Sequence, residues 1–160
     1  MKDLALKRRK DIRLKNYDYK TNGYYFVTVV TRDRLPLLKE YSSDIGAVAV
    51  ARAINDLPEF FNGLAVDYYV VMDDHIHIIF AFNDCGKTLG QVVKAMKYNI
   101  TKIVAAGLPS RHSKGPHSNA AATKANDIAV ATKTMWQWNY YEHIIRDEKK
   151  LAKNQELCRQ

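Results

Sequence analysis

Residues 66 to 82 read VDYYVVMDDHIHIIFAF. Two runs rich in β-branched and aromatic residues, 66 to 72 and 75 to 82, are separated only by Asp73 and Asp74, a connection short enough to require an antiparallel hairpin. In the second run side chains alternate between faces. His75, His77 and Ile79 point one way, while Ile76, Ile78 and Phe80 point the other and supply the core. Histidines at i and i+2 stand roughly 7 Å apart at the backbone, close enough for both rings to converge on one ion. The spacing permits a metal site without requiring one. Asp73 and Asp74 lie beside it as ligands, as acceptors for imidazole N–H groups, or as simple turn residues.

Working outward, GYYFVTVVT (23 to 31) is a further strand, bounded by a glycine and by Arg32-Asp33-Arg34. Ser43-Asp44 suits a helix start. Ile45, Val48, Ala51, Ile54 and Leu57 then recur at near-helical spacing until Pro58 interrupts, which predicts a helix over 44 to 57. Thr88-Leu89-Gly90-Gln91 has the form of a capping box. Leu89, Val92, Val93, Met96, Ile100, Ile103 and Val104 form one apolar face of the helix that follows, and Gly107 and Pro109 stop it. Lys94, Lys97 and Lys102 fall away from that face, as solvated residues or as a positive surface. From about 109 to 133 the chain is small, polar and aperiodic, which predicts a mobile loop; His112 and His117 within it read as solvated. MWQWNYYEHII (135 to 145) predicts a strand, and RDEKKLAKNQELCRQ a terminal helix.

The predicted order is β-α-β-β-α-β plus one helix, an α+β domain with a ferredoxin-like antiparallel sheet. The chain of 160 residues, 47% hydrophobic, suits one core. We divide it into a basic N-terminal arm, 1 to 22, and a single domain, 23 to 160. Arginine and lysine total 25 against 17 acidic residues, a net charge of +8 that favours a polyanionic partner, with nucleic acid foremost. Lys2, Lys7, Arg8, Arg9, Lys10, Arg13 and Lys15 crowd the first fifteen residues, as a phosphate-binding arm or a solvated terminus. No run of eighteen apolar residues and no signal-peptide pattern occurs, so a cytoplasmic protein without membrane association is expected. Cys85 and Cys158 are far apart and form no C-x-x-C pattern, which argues against a disulfide framework or a thiolate zinc site. An amidohydrolase barrel, another user of paired histidines, needs about 250 residues and is excluded by length.

Five stretches together carry a resemblance: RRKDIRLKNYDYKTNGYYFVTVVTRDR, LPEFF, DYYVVMDDHIHIIF, LGQVVKAMKYNITKIV and MWQWNYYEHIIRDEKKL. In order and spacing they resemble the REP-associated tyrosine transposases, a group of single-tyrosine HUH transposases, over nearly the whole chain to about residue 151. The resemblance implies a ferredoxin-like sheet and a divalent ion, Mg2+ or Mn2+, on His75 and His77, with His143 as a third ligand or a phosphate-orienting group. It implies a DNA partner, single-stranded or in hairpin repeats, acted on by a monomer or homodimer. The implied reaction is attack of a tyrosine oxygen on phosphorus, leaving a 5′-phosphotyrosine and a free 3′-hydroxyl. Arg8, Arg9, Arg13, Lys94 and Lys97 would follow the phosphate backbone, and Tyr17 or Tyr19 would stack on unpaired bases.

The chain departs from the family pattern at two places. Asp73-Asp74 stands where the family has Pro-Asn. The family's nucleophilic tyrosine lies on the terminal helix, at a position that falls at or very near Leu157, and no tyrosine follows Tyr141. Tyr140 and Tyr141 are the substitutes to hand, with Tyr141 the candidate nucleophile. Two expectations follow: a strand-cleaving transposase, or an inactive relative that only binds hairpin or single-stranded DNA. An RNA-binding module of the same sheet class would need surface aromatics where the central strand has histidines.

Overall fold

The computed structural model describes residues 13–39, 44–107 and 135–159. Its strands are β1 (Gly23–Val30), β2 (Leu64–Val71), β3 (His75–Phe82) and β4 (Tyr141–Ile145). Its helices are α1 (Asp44–Asn55), α2 (Leu57–Phe60), α3 (Leu89–Gly107) and α4 (Glu148–Leu157). The α+β expectation holds: one four-stranded sheet runs in the order β2-β3-β1-β4, with every neighbouring pair antiparallel. The predicted 109–133 loop, His112, His117, Arg8 and Arg9 lie outside the described residues.

The hairpin joining β2 to β3 closes as its two-residue connection demands. Met72 N–H donates to the His75 carbonyl at 2.8 Å. The turn carbonyls find partners too: Asp74 O accepts from Thr31 N–H at 2.8 Å, and Asp73 O from Leu38 N–H at 2.9 Å. One face of the sheet carries Tyr25, Val27 and Val29 of β1 against Ile76, Ile78 and Phe80 of β3, all fully buried. Val50 and Ile54 of α1 and Leu89, Val92, Met96 and Ile100 of α3 close the core over it. The periodicity that predicted these helices is therefore the periodicity of burial. Pro58 is accommodated in the first turn of the short α2 instead of ending all helical structure, because a proline there gives up no helical hydrogen bond.

The capping box at α3 forms reciprocally. Gln91 N–H donates to Thr88 Oγ1 at 3.3 Å, and Thr88 N–H donates to Gln91 Oε1 at 2.9 Å. Asp147 caps α4 through Lys150 N–H at 2.8 Å.

The predicted strand over 135 to 145 is corrected. Only Tyr141–Ile145 pairs with β1, and Trp136 contributes a single bridge to Thr31. The Trp136 indole draws the chain towards α3 instead, its Nε1–H donating to Lys97 O at 3.2 Å and Thr101 Oγ1 at 3.0 Å. Gln137 to Asn139 turn outwards before pairing resumes.

Gly63 has φ of +75°, and a Cβ there would collide with the Asn83 carbonyl, whose own N–H donates to Gly63 O at 2.7 Å. Gly63→Ala therefore combines left-handed strain with a backbone clash. We expect it to lower the unfolding free energy by about 2 kcal/mol or more, measured by urea denaturation.

Candidate metal and nucleic-acid site

The second face of the sheet is set by register. Val30 pairs with His75, Thr28 with His77 and Phe26 with Ile79. On the other side of β1, Thr28 pairs with Tyr141 and Phe26 with His143. His75, His77, Tyr141 and His143 thus share one face, with His77 and Tyr141 flanking Thr28 at about 10 Å across two strand spacings. The terminal helix α4 follows β4 and is tethered at its far end to β2. Gln155 Nε2 donates to Asp67 Oδ2 and Arg159 Nη2 to the Tyr68 hydroxyl, each at 2.8 Å. Cys158 is buried there, and burial and the Asp67 charge push its thiol up.

The two imidazoles are held in a defined way. Their ring centres lie 4.7 Å apart. His75 Nδ1–H donates to Asp74 Oδ1 at 2.6 Å; a carboxylate only accepts, so the proton is on Nδ1 and the Nε2 lone pair is left open. Arg34 pairs with the other oxygen of Asp74 at 3.1 Å. The hydrogen bond from His75, aided by Arg34, holds the Asp74 carboxyl below its ordinary range. His77 Nδ1 hydrogen-bonds the Thr28 hydroxyl at 2.8 Å, and its ring stacks on Phe26 at 5.3 Å and 22°. In the tautomer whose Nδ1–H donates to that hydroxyl, the His77 Nε2 lone pair is open as well. Burial, with the neighbouring His75, depresses the His77 pKa and favours the neutral imidazole a metal needs.

His75 and His77 would offer a divalent ion two imidazole nitrogens, a half-site that further ligands would have to complete. Nitrogen donors favour Mn2+ over the oxygen-seeking Mg2+. Among the described residues no three His, Cys, Asp or Glu side chains gather as a metal cluster. His143, expected as a third ligand, lies on the same face but flanks Phe26 instead of Thr28, so the structure does not bring it to the pair.

The two adjacent tyrosines part company. Tyr140 is 6% exposed and belongs to the core, and burial pushes its hydroxyl up to about 12 against the partial relief of Arg13. Tyr141 is 58% exposed on the histidine face. Leu157, where the resemblance places the nucleophile, is a 46% exposed leucine on α4.

The basic residues separate in the same way. Lys94 is exposed on α3. Arg13 lies against the protein, its guanidinium 4.3 Å from the Tyr140 ring centre and its Nη2 donating to Asn139 Oδ1 at 3.5 Å. Lys97 is a correction: expected on a solvated face, it is 8% exposed and donates to the carbonyls of Gln137 at 3.1 Å and Asn139 at 3.0 Å. An ammonium held there cannot follow a phosphate backbone. Tyr17 and Tyr19, expected as base-stacking residues, pack on each other and on Tyr25, and the Tyr19 hydroxyl donates to Glu142 at 2.6 Å.

Desolvation brings the Lys97 amine down to about 8 from an ordinary value of 10.5. Between those values the unfolded chain holds a proton that the folded chain has released, so stability rises with pH across that window. Lys97→Met removes the titration. The unfolding free energy of the natural protein relative to this variant should therefore grow by up to about 1.4 kcal/mol per pH unit between roughly pH 8 and 10. Parallel urea titrations at several pH values measure this.

Sequence reasoning missed Thr28 and Arg34. Thr28 becomes a partner of His77 only through strand register, and Arg34 a partner of Asp74 through the fold of the segment after β1.

No family model matches the chain. An uncharacterised protein of Haemophilus influenzae strain Rd is 31% identical over 152 residues, covering 88% of this chain and 81% of the relative. Among solved structures, a REP-associated tyrosine transposase bound to a REP hairpin matches with a TM-score of 0.60 at 20% identity, over 91% of this chain and 69% of that one. A protein of Deinococcus radiodurans R1 assigned as a transposase matches with a TM-score of 0.53 at 19% identity, over 91% and 94% of the two chains. At these identities the structural likeness is one of fold. No helix among the described residues is long and apolar enough to cross a membrane.

Proposed function

We propose that this chain, which belongs to one family with the Haemophilus influenzae protein and has the fold of a hairpin-bound tyrosine transposase, is itself a REP-associated tyrosine transposase. It acts on single-stranded DNA next to a hairpin. The observation that carries this reading is the sheet face on which two imidazoles, each anchored through Nδ1, share the surface with the exposed Tyr141.

A divalent ion, when bound, would polarise a DNA phosphate and offset the charge that builds on it. The protein's own groups do the rest. Asp74 and Thr28 orient the two imidazoles, and the Phe26 ring fixes the plane of His77. Tyr141 supplies the nucleophile: its oxygen bonds to phosphorus as its proton passes to solvent, and the 3′-oxygen departs as a hydroxyl. The 5′-phosphotyrosine conserves the bond energy, so the strand can be rejoined without ATP. The net charge of +8, with exposed Lys94, favours the DNA backbone. Arg8 and Arg9 of the basic arm are proposed to add to it.

One observation favours a second reading, in which the chain binds hairpin or single-stranded DNA without cleaving it. The helix position that the resemblance gives to the nucleophile is Leu157, which has no oxygen to attack with. Incubating the protein with end-labelled hairpin-plus-tail DNA and Mn2+, then resolving it under denaturing conditions, separates the two. A covalent adduct supports the first reading, binding without an adduct supports the second, and absence of DNA binding defeats both.

A further inference from the structure

Trp138 is the most exposed large hydrophobic side chain among the described residues, at 83%. Leaving an indole in water forgoes on the order of 2 to 3 kcal/mol of burial, so its position calls for a physical cause. The surrounding backbone supplies one. Lys97 reaches out of α3 to the carbonyls of Gln137 and Asn139, the residues on either side of Trp138. Trp136 is anchored in the core by the indole bonds already described. Asn139 Oδ1 accepts from Tyr140 N–H at 3.1 Å and from Arg13. The backbone at residues 136, 137, 139 and 140 is fastened on both sides of Trp138, and the indole stands out from it exposed.

We propose that Trp138 is a stacking platform for an unpaired base of single-stranded DNA, held in place by Lys97 as a positioning residue. The inference rests on the DNA-handling reading above and deepens it. A nucleobase suits the site better than an apolar protein partner, because the exposed indole is flanked in sequence by the polar Gln137 and Asn139 and carried on a chain of net charge +8. The Arg13 guanidinium, bonded to the neighbouring Asn139, and the basic chain favour the attached phosphates. A duplex would not serve, since its bases already stack on one another. Trp138 stands three positions before Tyr141, at most about 11 Å along the backbone, so a base held here is within reach of the proposed point of cleavage.

The test uses the full chain and an oligothymidylate, with binding read from tryptophan quenching and, independently, from fluorescence anisotropy of a labelled strand. Trp138→Ala, which removes no buried contact, should weaken binding roughly tenfold to a hundredfold, while Trp138→Phe recovers most of the loss. The slope of affinity against salt should stay the same, because no phosphate contact is removed. Quenching should vanish in Trp138→Ala, leaving only the buried Trp136. Lys97→Met, with Trp138 intact, should lower affinity and loosen the indole, seen as a fall in tryptophan anisotropy. Unchanged affinity of Trp138→Ala for the single strand overturns this inference while leaving the DNA-handling reading standing. A change in self-association in place of DNA affinity also overturns it, assigning the indole to contact between copies. Absence of DNA binding by the natural protein defeats both readings.

Discussion

Tyr141→Phe is expected to abolish the covalent protein–DNA adduct completely while leaving DNA affinity nearly unchanged, as read from denaturing gels and anisotropy titrations on the same hairpin-plus-tail substrate. Only an oxygen nucleophile makes a phosphotyrosine, so the effect on chemistry is all or none. The ring, exposed on the edge strand, is retained, so fold and binding should persist. Tyr140→Phe gives the control. That hydroxyl is buried, pushed up to about 12 and remote from solvent, and its removal should leave the adduct in place. If the natural protein forms no adduct at all, Leu157→Tyr becomes the decisive variant. It puts a hydroxyl on α4 at the position the resemblance assigns to the nucleophile, and an adduct gained there would establish that the site is intact except for this one oxygen.

Replacing His75 and His77 together by alanine is expected to abolish Mn2+ binding, a loss above a hundredfold by isothermal titration calorimetry, because no group of three or more His, Cys, Asp or Glu among the described residues can take over. Each single variant should retain weak binding through one imidazole. Asp74→Asn probes the hydrogen bond behind His75: an amide can still accept from Nδ1–H but carries no charge to raise the basicity of the ring. A tenfold to hundredfold loss of metal affinity is typical of such outer partners, and we expect the same here. The fold should survive all of these changes. His77 is half-buried and stacked on Phe26, so its loss costs about 1 kcal/mol of stability, and His75 less. Unimpaired Mn2+ binding by the double variant would show that the ion, if used, sits elsewhere.

Much of the fold was legible because burial follows period. The alternation in residues 66 to 82 gave the hairpin and the opposed faces of β3, and the spacing from Leu89 to Val104 gave the buried stripe of α3. Local chemistry was legible for the same reason: Thr88 and Gln91 cap α3 as their spacing predicts, since both partners lie within one turn. The site was half legible. That His75 and His77 share a face needs only the pleat, but which group anchors His77 depends on how β1 registers against β3. Strand pairing is non-local, and a one-residue slip would have placed Val27 or Val29 opposite His77 in place of Thr28.

The same limit explains the errors around residues 135 to 141. Aromatic alternation predicted an unbroken strand, yet an indole hydrogen-bonded to α3 and an ammonium clamped on two carbonyls interrupt it. Lys97 reads as solvated for its charge, although it stands four residues after Val93 and three before Ile100, at the edge of the buried stripe. What buries it is a segment forty residues further along the chain.

The sequence by itself determined most of the secondary elements, the pairing of the central hairpin and the presence of two histidines on one strand face, because each follows from contacts within one element or one turn. Only the tertiary structure decided which tyrosine is exposed, which lysine is buried and which hydroxyl anchors His77. Those outcomes depend on contacts between segments 40 to 130 residues apart, whose free energies no local pattern records.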